Sequence, residues 1–241
     1  MPSKPSPCVP PDAIRLLSLP RLDPGLLRRY AALEDLSGAV SDALDQLGLQ
    51  GAVPASALAP TLPGAAWSAR PSRCATCRAP TASPRAASGK GMMGEHEAYN
   101  LAEPGDVVVI EGLPGVSNLG GQSAAVASRS GCAGAIVDGG HRDPDASREL
   151  GFPIWSRGPT PITGKWRLRT VEINGTVHIA SMPVQAGDLV VADDAGVVFV
   201  PHAQALAVLE AAERVHAGDA RQKADIARGV DLATLAATRY K

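Results

Sequence analysis

Apolar residues along this chain fall into two patterns. Short unbroken runs at Val107–Ile110, Gly134–Val137, Leu189–Ala192 and Val197–Val200 lie between glycine, proline and aspartate positions, as strands buried on both faces do. Stripes at i, i+3, i+4 spacing mark helices instead. Leu26 to Leu47 is one, in which Ala39, Val40, Ala43, Leu44 and Leu47 follow a Ser37 cap and stop at Gly48. Met92 to Ala102, Gln122 to Ser130, Asp145 to Leu150 and Ala203 to Ala217 are others, and Ala220 to Arg228 reads as a more polar helix reaching over a neighbour. Phe152–Ser156 and the alternating Lys165–Val171 read as strands, Ala65–Arg70 as a further one, and Asn174-Gly175 as a two-residue hairpin turn between Lys165–Val171 and Val177–Ala180. The tally of about eight strands and five helices in mixed order predicts an α/β sandwich with parallel and antiparallel parts.

The first two runs enclose the chemistry. Val107–Ile110 is followed by Gly112-Leu-Pro-Gly115-Val-Ser-Asn118-Leu-Gly120-Gly121, a helix from Gln122, the run ending at Val137, and then Asp138-Gly-Gly-His141-Arg142-Asp143. This is a βαβ unit, whose crossover brings both loops to the sheet edge where open α/β sheets bind ligands. A guanidinium beside a carboxylate, facing a loop of free amides, suits a small carboxylate together with a divalent metal.

Composition narrows the classes. Charged residues are 20% and apolar ones 45% of 241 residues, which fits one soluble domain carrying an arm. The formal charge of -1, scattered Lys and Arg, and 3% aromatics predict no nucleic-acid partner. No run is long enough to span a bilayer and Met1-Pro-Ser-Lys-Pro lacks an apolar leader core, so no membrane and a cytoplasmic location are expected. Cys74-Ala-Thr-Cys77 has zinc or redox spacing without a second pair, and reads as reduced thiols in a loop; the stretch Val53–Ser83 reads as loop around its one strand. In Glu95-His96-Glu97 successive helix positions diverge, so the three cannot share an ion, and His96 is the one expected to face a site.

The order Pro104-Gly105-Asp106, the glycine-rich loop, Gly131 to Asp143, Leu150 to Gly158 and Gly187 to Pro201 resembles the RraA-like family. That family groups regulators of RNase E activity with 4-hydroxy-4-methyl-2-oxoglutarate and 4-carboxy-4-hydroxy-2-oxoadipate aldolases, and many members carry a demethylmenaquinone methyltransferase label. The resemblance runs from about Leu36 to Gly229. It implies a swivelling β/β/α sandwich with a mixed sheet, in homotrimers or homohexamers with sites between subunits. The division that accompanies it is a Pro-rich arm over 1–24, an α/β domain over 25–229 and a helical tail over 230–241.

By the same resemblance Arg142 holds the carboxylate of a 2-oxo acid and Asp143 ligates Mg2+ or Mn2+, while Gly120, Gly121 and Gln122 offer amides to the substrate. A divalent ion would polarise the ketone, so that cleavage leaves pyruvate as a metal-bound enolate. The expected activity is a class II (metal-dependent) aldolase or decarboxylase, a carbon-carbon lyase on a small carboxylate. The sequence departs from the aldolases at Gly121, where they place a proton-relay Asp, and Asp219 is a loose match for a carboxylate supplied by the neighbouring subunit. His141 is the expected substitute acid/base group, with the opposite face of the loop as its other placement. The alternatives are a non-catalytic binding protein like the RNase E regulators, or another acid-base reaction with Gly121 making space for a bulkier substrate.

Overall fold

A computed structural model describes residues 9–17, 21–64, 72–78, 81–82 and 93–241. Among the described residues nine strands share one mixed sheet: β1 (Ala52–Pro54), β2 (Ala59–Pro60), β3 (Ser72–Arg78), β4 (Val107–Glu111), β5 (Gly134–Asp138), β6 (Ile154–Ser156), β7 (Glu172–Ile173), β8 (Leu189–Asp193) and β9 (Gly196–Val200). Their spatial order is β1-β9-β8-β3-β4-β5-β6-β2, with β7 following β8 along one flank of β3. The pairs β3-β4, β4-β5 and β5-β6 are parallel and the rest antiparallel, which is the mixed sheet expected.

The unbroken apolar runs exist because both sheet faces are covered. Val108 and Ile110 of β4 pack with α3 (His96–Leu101) and α4 (Gly121–Arg129), whereas Val107 and Val109 pack on the other face with Trp155 and the short hairpin Val177–Ile179/Met182–Val184. Alternation holds in β8 and β9 too. Leu189, Val191, Val198 and Val200 meet α1 (Pro24–Ala31), α2 (Leu36–Gln46) and α6 (Ala205–Ala227), and Val190, Ala192, Val197 and Phe199 join the hairpin face. The layers are therefore hairpin, sheet and helices. Each fully buried aliphatic side chain contributes about 1.5–3 kcal/mol, so a polar residue on either face would be costly.

Two strands begin with one device. Asp106 and Asp188 are buried, each accepts the N–H three residues back, of Glu103 and Gln185, and a left-handed Gly105 or Gly187 precedes each. The turns close sharply and start β4 and β8 on the same edge chemistry.

Several expectations change. Leu26–Leu47 is two helices broken at 32–35, and Ser37 lies inside α2, with its N–H donated to Asp193 Oδ2. Ser72–Arg78 is a sheet strand and not loop, since β4 and β8 supply its hydrogen bonds; Ala65–Arg70 lies outside the described residues. Lys165–Val171 keeps only Leu168–Arg169 as strand. Asn174, at φ 57, does turn the chain, but its flanking strands pair elsewhere, Glu172–Ile173 on β3 and Val177–Ile179 on Met182–Val184. The two C-terminal helices merge into α6, and Gly218 at their junction is where the Tyr240 carbonyl packs, 2.1 Å from where a Cβ would stand. A further helix, α7 (Leu232–Ala237), follows in the tail, and α5 (Pro144–Glu149) leads out of the Arg-Asp pair.

Candidate functional site at the glycine-rich turn

The loop between β4 and α4 is pinned from within by Asn118, which is 1% exposed. Its Oδ1 accepts the Leu113 N–H at 3.2 Å, and its Nδ2 donates to the carbonyls of Val116 at 2.8 Å and Leu113 at 3.1 Å. Such closeness requires glycine on both sides. A Cβ on Gly112 would lie 2.3 Å from Asn118 Oδ1, and one on Gly139 would lie 2.2 Å from Nδ2. Sequence reasoning missed Asn118; its signal was a lone amide between two glycine clusters. The loop also forms a short strand, Ser117–Leu119, parallel to Gly140–His141, so the two loops share an edge.

That pairing delivers Arg142 and Asp143 to the turn. The Arg142 N–H donates to the Leu119 carbonyl at 2.9 Å, and Asp143 then adopts φ 60, ψ 55, a left-handed conformation that aspartate tolerates better than most residues. Asp143 Oδ2 accepts the Gly121 N–H at 3.0 Å and stands 3.5 Å from Arg142 Nε. Both side chains remain nearly half exposed, so their mutual attraction adds little stability. Gly120, Gly121, Arg142 and Asp143 are thus brought together, with exposed Gln122 next on α4. One expectation shifts: Asp143 occupies the Gly121 amide, which leaves the N–H groups of Gln122 and Ser123 as the first-turn donors that have no partner among the described residues.

His141 faces elsewhere. It is 3% exposed, its Nδ1 lies 2.7 Å from Ser156 Oγ on β6, and Nε2 is buried without a partner. Burial, and secondarily the Arg148 charge, push its pKa below 6.5, so the ring is neutral at physiological pH. An acid/base role at the Arg142–Asp143 turn does not fit that placement. His96 is likewise turned outward, whereas Glu95 and Glu97 are buried. Glu95 Oε1 accepts from Ser123 Oγ at 2.9 Å, and the Tyr99 hydroxyl lies 2.9 Å from the same Ser123 oxygen. Asp219 is on α6, paired with Lys241 at 3.0 Å. Asp193 and Asp194 serve turns: Asp193 accepts the N–H groups of Ala195 and Ser37, and Asp194 that of Gly64.

Among the described residues no three His, Cys, Asp or Glu side chains gather as a metal cage. Asp143 alone offers an oxygen here, Oδ1, that no group of the described residues occupies. A hard cation that keeps most of its waters fits such a donor.

Residues 37–199 match the family model described as RraA-like, Aldolase/RraA. A Halalkalibacterium halodurans protein named "Putative 4-hydroxy-4-methyl-2-oxoglutarate aldolase" is 37% identical over 131 residues, 53% of this chain and 62% of that protein. The chain thus spans less than two thirds of that relative's length. Among solved structures, an uncharacterized protein from Pseudomonas syringae superposes with TM-score 0.78 at 25% identity, covering 92% of this chain and all of that one. Streptomyces coelicolor RraAS2, described as an unusual member of the RNase ES inhibitor RraA protein family, gives 0.67 at 27% identity over 87% of this chain and 98% of its own.

Proposed function

This chain belongs to the RraA-like family, and from that premise we propose that it is a carbon-carbon lyase acting on a small 2-oxo acid. The observation that carries the reading is the meeting of Arg142, Asp143 and the Gly120–Gly121 turn at the N-terminus of α4. Arg142 holds the substrate carboxylate by paired N–H donors, and the free first-turn amides of Gln122 and Ser123 add to that hold, as helix N-termini do for anions. Asp143 Oδ1 is the protein oxygen offered to Mg2+ or Mn2+. The bound ion supplies Lewis-acid polarisation of the 2-oxo group, which eases retro-aldol cleavage or decarboxylation. Asp143 is kept in place for this by the Gly121 N–H. Assembly as a trimer or hexamer, with a neighbour closing the site, belongs to the same proposal.

The second reading is a non-catalytic binding protein, favoured by the likeness to RraAS2. The unoccupied oxygen of Asp143 favours the enzyme. Pyruvate release from oxaloacetate and from a 4-hydroxy-2-oxo acid, measured with manganese, with EDTA and in Asp143→Ala, separates the two. Release that needs the metal and Asp143 supports the lyase; equal release in all three conditions removes it.

A further inference from the structure

The hairpin Val177–Ile179/Met182–Val184 turns on Ala180 and Ser181, which hold φ 48 and φ 72. A two-residue turn of this hand ordinarily uses asparagine and glycine, and residues with a β-carbon meet a steric cost there. Something outside the turn must hold it. Among the described residues Val177–Ile179 pairs with no strand but Met182–Val184, and Pro183 stands opposite His178, so the His178 and Ala180 N–H groups both face away from the pair. Two carboxylates from the large sheet take them. Glu111 Oε2 accepts the His178 N–H at 2.7 Å, and Asp138 Oδ2 accepts that of Ala180 at 2.8 Å.

These two acids are register partners at the ends of β4 and β5. Gly112 follows the one and Gly139 the other, so each stands at the root of a loop that builds the Arg142–Asp143 turn. The roots are joined: the Gly112 N–H donates to the Asp138 carbonyl at 3.2 Å, and both glycines pack against Asn118. From Asn118 the contacts continue without a gap. Its neighbours Ser117 and Leu119 pair with Gly140 and His141, and the Leu119 carbonyl accepts the Arg142 N–H. Arg157 closes the other side, with its N–H on the Gly139 carbonyl at 3.0 Å and its guanidinium on Asp138 Oδ1.

We propose that Asp138 and Glu111 are positioning residues of the Arg142–Asp143 site, fixing both of its loops to the hairpin as a rigid reference. Neither touches substrate. Val177, Ile179 and Val184 bury the hairpin in the core, whereas the glycine-rich loops have little packing of their own, and the two carboxylates carry the position of the first to the second. The effect on turnover rests on the lyase reading; the effect on geometry does not.

The test therefore reads geometry and turnover separately. The Gly121 amide, which donates to Asp143 Oδ2, reports the turn by its proton and nitrogen NMR shifts in the magnesium-loaded protein. Pyruvate release from oxaloacetate with manganese reports kcat and KM. Asp138→Ala should move the Gly121 resonance and lower kcat by about 10- to 100-fold, as misplacement of reacting groups does, with KM held within about threefold. Asp138→Asn keeps an acceptor for the Ala180 N–H and should recover most of that rate. Glu111→Ala and Glu111→Gln should repeat the contrast, and carry the same test if Asp138→Ala does not fold. Val184→Ala loosens the hairpin core without touching either carboxylate, so it should lower the urea midpoint and leave the Gly121 resonance and kcat in place. An unmoved Gly121 resonance in folded Asp138→Ala, near-wild-type kcat in that variant of an active enzyme, or an equal kcat loss in Val184→Ala overturns the positioning role. Wild-type protein that releases no pyruvate overturns the lyase alone, and the Gly121 resonance then decides the positioning.

Discussion

Gly121 and Ala146 meet with no room for a side chain between them: a β-carbon on Gly121 would stand 2.8 Å from that of Ala146 and 3.1 Å from that of Asp143. The space expected there for a bulkier substrate is filled by the start of α5. Gly121→Ala should therefore destabilise by about 1–3 kcal/mol through overpacking, read as a lower urea midpoint. Gly121→Asp should likewise lose stability and displace Asp143, lowering manganese affinity and not raising turnover. Adding Ala146→Gly should recover part of the Gly121→Ala loss, a non-additivity expected of residues in contact.

Asp143 combines a charge with a left-handed backbone at φ 60, and the two can be separated by substitution. Asparagine tolerates that conformation and still accepts the Gly121 N–H. Asp143→Asn should remain within about 0.5 kcal/mol of wild type, yet lose manganese binding by electron paramagnetic resonance titration. Asp143→Ala forfeits the acceptor and strains the backbone, costing about 1–3 kcal/mol. Equal unfolding midpoints for the two variants would contradict this separation.

Asn118 should govern the order of the glycine-rich loop. Asn118→Ala leaves the Leu113 N–H without its acceptor and the Val116 and Leu113 carbonyls with the Gly140 N–H alone, at about 1–3 kcal/mol for the donor left unsatisfied. Asn118→Asp places acceptors against the Val116 and Leu113 carbonyls and should be no better. Hydrogen exchange across residues 112–121 should accelerate in both variants, with smaller change in α6.

What was legible in the sequence follows from which forces are local. β4, β5, β8 and β9 announced themselves because burial on both faces leaves a continuous apolar run, and the same argument found the loops that meet at Arg142 and Asp143. β3 was hidden, since Ser-Arg-Cys-Ala-Thr-Cys-Arg has no such run and its neighbours decide its state. The inward residue at α3 was misassigned because the helix phase depends on where it starts: with His96 first, Glu95 and Glu97 turn in and His96 out. The hairpin at Ala180-Ser181 was unreadable for another reason. Two non-glycine residues hold φ 48 and φ 72 there, and Asp138, far along the chain, accepts the Ala180 N–H at 2.8 Å.

His141 makes the acid side of the stability profile predictable. Its folded pKa lies below the ordinary 6.5, chiefly from burial and then from Arg148, so the unfolded chain binds the proton more readily. Stability from this group is fully present above pH 6.5 and falls away as pH drops from there through the folded pKa. Removing the titrating ring should flatten that decline. His141→Gln keeps a polar atom for Ser156 and no basic nitrogen, so its urea midpoint should change less than that of wild type between about pH 6.5 and 5, even if its midpoint at pH 8 is lower. Parallel declines in the two proteins would mean that the acid sensitivity arises elsewhere, and would remove His141 as its source.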